Sequence, residues 1–220
     1  MLLFADTETT GVGQEDRLCQ MACKSEDGSI EINELFKPPL SIKITAMAVH
    51  GKTEKMVADK PAFKDSPLYP DIKDMFSINT IVAHNAQFDV EMLKKEGVEC
   101  ESIICTFKLA CFLDVEGKME SYSEQYLRYR LGIEIEEGYA HDAYGDVLIL
   151  EQIYHRLAKK LTFEEMIDIS SRPALLPKLS FGKHRGELFK NVDHGYLGWI
   201  VKQDSMDENV KYTAQHWLGQ

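Results

Sequence analysis

At 220 residues, with 44% apolar and 28% charged side chains, the chain has the make-up of a soluble globular protein of one ordinary domain, or one domain with a small appendage. Its formal charge of −11 argues against a protein that coats nucleic acid with its whole surface, but leaves room for a local basic patch and for carboxylates that hold cations. The cysteines (Cys19, Cys23, Cys100, Cys105, Cys111) form no Cys-x-x-Cys and have no matched His pair, which argues against zinc and fits reduced thiols in the cytoplasm.

The first residues lack a basic leader, Asp6 cuts the opening apolar run short, and no later run is long enough to span a membrane. Residues 2–6 read as a buried strand. Residues 17–24 and 29–36 read as two more, joined by a hairpin at Asp27-Gly28. Residues 45–57 form two short helical pieces separated by Gly51, and 69–76 a modest helix. Residues 79–83 are a short strand followed by a helix, with Asn85 placed as its N-cap and Gly97 as its stop. Residues 101–105 give a fifth strand, 106–113 and 121–131 two helices, and the longest helix runs from the HDAYGD stretch to about Lys160. Three strands followed by alternating helices and strands predict an α/β domain with a mixed sheet over residues 1–162. Residues 163–220 read as a small, mostly helical C-terminal module.

Carboxylates recur where apolar surface is expected. Asp6 and Glu8 are two apart at the end of the first strand, so they share one face. Asp89 has Met92 and Leu93 on its helical face, and Asp146 has Ile149 and Leu150. Inward carboxylates without cations cost about several kcal/mol each or must protonate. A pair of divalent cations removes that cost, and hard oxygen ligands select Mg2+ or Mn2+. Two such ions about 4 Å apart are a common device for phosphodiester hydrolysis. His141, five residues before Asp146, suits a general base near neutral pH.

The stretches FADTETTG, VAHNAQFDVEML and HDAYGD resemble the three motifs of the DEDDh family of 3′→5′ exonucleases. Asp6 and Glu8 match the first, Asp89 the second, and His141, Ala143 and Asp146 the third. The resemblance implies a ribonuclease-H-like fold with a five-stranded mixed sheet flanked by helices. It also implies two bound Mg2+ ions, with Mn2+ able to substitute, and release of 5′-mononucleotides from a 3′ end. Asp6 would bridge both ions, Glu8 and Asp146 complete one site, and Asp89 position the second ion. His141 would deprotonate the attacking water. Thr9, Gly11 and Val12 would hold the terminal nucleotide, the alternative being a plain turn into the second strand. Asn85 and Phe88 would line the substrate groove, the alternative being capping and core packing. His84 reads as a structural histidine at a strand end, Asp142 as a helix cap, and Glu151 as incidental.

In the tail, Arg172, Lys178, Lys183, Arg185 and Lys190 face only Glu187 within residues 172–190. Glycines on both sides of Lys183-His184-Arg185 expose these cations on a turn, and Phe181, Tyr196 and Trp199 lie near in sequence. Cations beside aromatic faces suit single-stranded nucleic acid. The patterns FGKHRG and GYLGWI are similar to the tail of a bacterial, DNA-directed branch of the same family. That resemblance implies action on single-stranded DNA and on duplex 3′ ends, in repair or recombination. Departures around residues 12–14 and 114–138 bear on which ends are accepted. RNA trimming and a proofreading subunit of a polymerase complex are the competing readings, and the sequence leaves open monomer or homodimer.

Overall fold

A computed structural model describes residues 1–135 and 142–219. Its framework is a mixed sheet of β1 (Leu2–Thr9), β2 (Leu18–Ser25), β3 (Glu31–Leu35), β4 (Thr80–Ala83) and β5 (Ser102–Cys105), in the order β3-β2-β1-β4-β5. The first three strands run antiparallel, while β4 and β5 join β1 in parallel. The β2–β3 hairpin turns at Gly28, whose φ of 72° suits glycine, with Asp27 Oδ1 accepting from the Ser29 N–H and from the Ser25 hydroxyl.

Two short helices, α1 (Ile44–His50) and α2 (Glu54–Val57), follow β3, with Gly51 ending the first as expected. One face of the sheet carries α3 (Tyr69–Ile78) and α4 (Gln87–Lys95), which pack Ile72, Phe76 and Leu93 on Leu3, Ala5, Met21 and Ile81. The other carries α5 (Thr106–Leu113), α6 (Glu124–Arg130), α7 (Ala143–Leu157) and α8 (Phe163–Ser171). There Leu109, Val147, Leu150 and Ile153 cover Leu2, Phe4, Val82 and Ile104. Each large side chain so buried contributes about 1.5–3 kcal/mol.

Two expectations shift. The first strand does not end at Asp6 but runs to Thr9, because its ladder with β2 continues to the Thr9–Leu18 pair. The parallel ladder with β4 stops at Phe4–Val82, so the last part of β1 overhangs. Asn85 is not a helix cap. It sits at φ 57°, a conformation asparagine tolerates, in a turn where Phe88 N–H donates to its carbonyl, and α4 starts only at Gln87.

The tail has a core of its own. Leu179, Phe189, Leu197, Ile200, Val210 and Ala214 pack together between a short 3₁₀ turn, α9 (His194–Val201) and α10 (Glu208–Leu218). The expected division between residues 162 and 163 falls ahead of α8. That helix packs Met166 and Ile169 into the larger core, and its Ser170 hydroxyl accepts the Cys105 N–H at 2.8 Å.

Phe4 is fully buried beneath the overhang and meets Tyr154 edge-on at 5.4 Å. Phe4→Ala should cost about 3–5 kcal/mol in urea unfolding, while Val12→Ala should change stability by less than about 0.5 kcal/mol. Equal effects at the two positions would contradict this packing.

Candidate active site

Side chains alternate along β1, so Asp6 and Glu8 continue the row of Leu2 and Phe4 that faces α7. The apolar cover ends where β4 ends, and the two acids stand in the gap. The first turn of α7 supplies Asp146, and one carboxylate oxygen from each of Asp6, Glu8 and Asp146 lies within 4.8 Å of the others. Gln125 of α6 donates to Asp146 Oδ1 at 2.8 Å.

Asp89 arrives from the opposite face of the sheet. Past Phe4, β1 has no strand on its β4 side, and the Thr7 N–H there is taken by Asp89 Oδ1 at 3.1 Å. The Thr7 hydroxyl donates to the same oxygen at 2.7 Å. Asp89 is therefore buried against the strand end with one oxygen committed, and it stands outside the group of three.

The cluster resists its own charge. Burial raises the Asp6 carboxyl well above the usual range, and the charges of Asp89, Glu8, Glu124 and Asp146 add to the effect. Burial and Asp146 push Glu8 up to about 8, with Lys52 pulling the other way. Burial pushes Asp89 up to about 7 despite the Thr7 hydrogen bonds that favour its charged form. Oxygen donors that crowd together and are short of positive charge fit a hard divalent cation, so the residues present match the Mg2+ or Mn2+ expectation.

Two further residues belong to this region. Glu124 opens α6 with its carboxyl turned inward, its pKa raised by burial and then by Asp146, Asp89 and Glu8. In sequence it follows the cap Ser123 and passes for an ordinary first-turn acid. Lys52 is buried and pairs with Asp142 Oδ2 at 2.6 Å. Asp142 caps α7 as expected, accepting the Tyr144 N–H at 3.0 Å, and also accepts from Gln20 at 3.0 Å. Burial opposes its charge, but Lys52 and Gln20 hold its pKa below the usual value. Glu151 is engaged by Lys24 at 2.5 Å.

The loop after β1 is more than a plain turn. Asp16 is buried at its base, accepting from the Thr10 hydroxyl at 2.9 Å, the Gly13 N–H at 2.7 Å and Lys43 Nζ at 2.5 Å. Lys95 of α4 donates to the Gly13 carbonyl at 2.9 Å. A Cβ on Gly11 would approach Asp16 Oδ2 to 2.7 Å, which explains the glycine. Thr9 is buried, with its hydroxyl on the Gly11 carbonyl, whereas Val12 stands 87% exposed at the tip. Asn85 is exposed and Phe88 half-buried at the start of α4.

His84 spans two elements, donating from Nε2 to the Tyr122 carbonyl at 2.8 Å and accepting the Thr106 hydroxyl at Nδ1, 2.9 Å away. Burial lowers its pKa to about 4, so it is neutral at physiological pH, in keeping with a structural role. His50, expected to be solvated or packed, is buried between the Thr9 carbonyl and the Lys52 N–H. His141 lies outside the described residues.

In the tail, Lys183 and Arg185 are exposed on the expected turn. At Gly182 a Cβ would strike the Tyr196 hydroxyl at 2.2 Å. Lys183 lies 5.3 Å from the Tyr196 ring centroid, and Tyr196 is 5.3 Å from half-exposed Trp199. The basic patch is weaker than its local sequence suggests. Arg172 pairs with Asp168, Lys190 with Glu116 and Lys183 with Asp193, all acids outside residues 172–190.

A family model described as an exonuclease (RNase_T) matches residues 3–154. Exodeoxyribonuclease 10 of Escherichia coli K12 is 34% identical over 99% of this chain and 99% of its own length. The DNA polymerase III subunit epsilon of Haemophilus influenzae is 30% identical over 69% of this chain and 65% of its own. Among solved structures, exonuclease X in complex with 5′ overhanging duplex DNA aligns with a TM-score of 0.61 at 30% identity, covering 77% of this chain and 99% of that one. Exonuclease I aligns at 0.59 with 22% identity, covering 76% of this chain and 42% of that one, a likeness of fold.

The raised carboxylates set a pH dependence for the metal-free protein. Glu8 at about 8 and Asp89 at about 7 exceed their unfolded values of roughly 4.3 and 3.9, so the folded state binds more protons between those limits. Stability should therefore fall as pH rises from about 5 to about 8, opposite to the trend for salt-bridged carboxylates. Thermal melting in chelator should show this. Added Mn2+ should raise the midpoint more at the alkaline end, and a midpoint that climbs with pH in chelator would refute the assignment.

Proposed function

The chain belongs to the DEDDh exonuclease family, and on that premise we propose that it is a metal-dependent 3′→5′ exodeoxyribonuclease releasing 5′-mononucleotides from single-stranded DNA and from duplex 3′ ends. The observation that carries the reading is the group of Asp6, Glu8 and Asp146 oxygens within 4.8 Å, backed by Asp89 on Thr7. DNA as substrate draws on the full-length similarity to exodeoxyribonuclease 10 and on the exonuclease X complex with duplex DNA. We extend the proposal to a role in repair or recombination in the cytoplasm, which the same full-length similarity supports. The likeness to polymerase III subunit epsilon supports a proofreading subunit less well, because it covers 69% of this chain and the tail forms a core of its own.

Bound divalent cations supply the charge that acidifies water and stabilises the leaving oxygen. Asp6, Glu8 and Asp146 would hold them, with Asp89 offering the oxygen that Thr7 leaves uncommitted. His141 would accept the proton of the attacking water. Water adds across the P–O3′ bond: the terminal nucleotide leaves with its 5′-phosphate, and the next one keeps a 3′-hydroxyl. The loop clamped by Asp16 would present Val12 to the terminal nucleotide, with Asn85 and Phe88 along the strand's path. We place the boundary of the catalytic domain after α8, with the module beyond Arg172 contacting DNA through Lys183, Arg185 and the Tyr196–Trp199 face.

Matched 3′-labelled single-stranded DNA, duplex DNA and RNA should separate these readings. With Mg2+ or Mn2+ both DNA substrates should yield mononucleotides faster than the RNA, and His141→Ala should slow turnover by about 100-fold or more while Mn2+ still binds. Faster loss of RNA would move the assignment to RNA trimming, and no release with either metal would sink it. Lys183→Ala with Arg185→Ala should weaken single-stranded DNA binding and lower the slope of affinity against salt by about 1–2. An unchanged slope would remove the turn from the interface.

A further inference from the structure

We propose that Glu124 is a fifth carboxylate of the cation site, adding its charge to divalent-cation binding beside Asp6, Glu8, Asp89 and Asp146. The inference rests on the reading of that cluster as a cation site. Glu124 is not part of the three motifs, and it reaches the cluster from a separate element, the first turn of α6.

An acid in a first helical turn ordinarily points to solvent, where the helix dipole and water both satisfy it. Glu124 does not. Its Oε1 is sealed from solvent and has no hydrogen-bond partner among the described residues. The charges acting on it are those of Asp146, Asp89 and Glu8, and its own charge acts in turn on Asp6. A buried carboxylate oxygen with no donor, set among like charges, is the arrangement that proteins avoid unless a cation relieves it.

The placement is built rather than incidental. Gln125, the next residue, donates to Asp146 Oδ1 at 2.8 Å and ties the start of α6 to α7. On the other side His84 holds the Tyr122 carbonyl at 2.8 Å, two residues before Glu124. The Ser123 side chain caps the helix by accepting from the Tyr126 N–H. The chain on both sides of Glu124 is thus tied to the turn after β4 and to α7, and the carboxyl is held toward the acids.

Titration calorimetry of the full chain with Mn2+, without nucleic acid, tests the assignment. Glu124→Gln should lower Mn2+ affinity by about 10-fold or more, within the range seen when groups beside a metal site are removed. The Mg2+ concentration for half-maximal nuclease rate should rise by a similar factor. In chelator, the same variant should melt no lower than wild type, because a repelling charge is gone. Glu124→Ala should show the same loss of Mn2+ affinity if the glutamine variant fails to fold. Wild-type Mn2+ affinity in the variants, with a lower melting point in chelator, would make Glu124 merely structural and overturn the inference while leaving the cation site standing. Failure of the wild type itself to bind Mn2+ would remove the cation site and the inference together.

Discussion

The architecture depends on a mismatch between two ladders. β1 pairs with β2 as far as Thr9, but with β4 only as far as Phe4. Past that point the strand has a neighbour on one side only. The row of side chains that began as Leu2 and Phe4 continues as Asp6 and Glu8 with no β4 beside it. Thr7 is left with a main-chain N–H that must find a partner, and Asp89 supplies it from a helix on the far face of the sheet. One missing strand end thus opens the space, exposes the acids and recruits the fourth carboxylate.

Holding these groups together costs stability, and the surrounding packing offsets it. Phe4, Val82, Ile104, Val147 and Leu150 form a dry layer directly behind the acids, which fixes β1 and α7 in register. The same layer limits the water around the half-buried Asp6 and Glu8, and that burial raises their pKa values. Rigid placement and electrostatic discomfort therefore share one origin. Neutralising ions bind better to such a site than to loose surface acids, because no ordering remains to be done.

Much of this was legible in the sequence. The alternation along residues 2–8 and the helical faces of Asp89 and Asp146 placed all four acids inward, and the element order gave the sheet its class. What the sequence hid was non-local. The length of β1 depended on how far its ladder with β2 runs, which no residue in β1 encodes. Asn85 read as a cap because its chemistry serves both a cap and a left-handed turn. Glu124 and Lys52 carry no signal in the sequence, since only tertiary contacts turn them inward. The basic stretch near Lys183 looked stronger than it is, because Asp168, Asp193 and Glu116 sit outside that stretch in sequence and beside it in space.

The clamp on the loop after β1 has a consequence for variation. Asp16 within the loop, Lys43 just before α1 and Lys95 of α4 fasten its base, while residues 12–15 face solvent. The fastening leaves the tip free of packing duties, so its size and polarity can be exchanged without disturbing the carboxylates a few residues upstream. On the proposed function, chemistry and fit to the substrate end are then separable: an engineer, or a lineage, can alter one at the exposed positions 12, 14 and 15 while the other stays fixed.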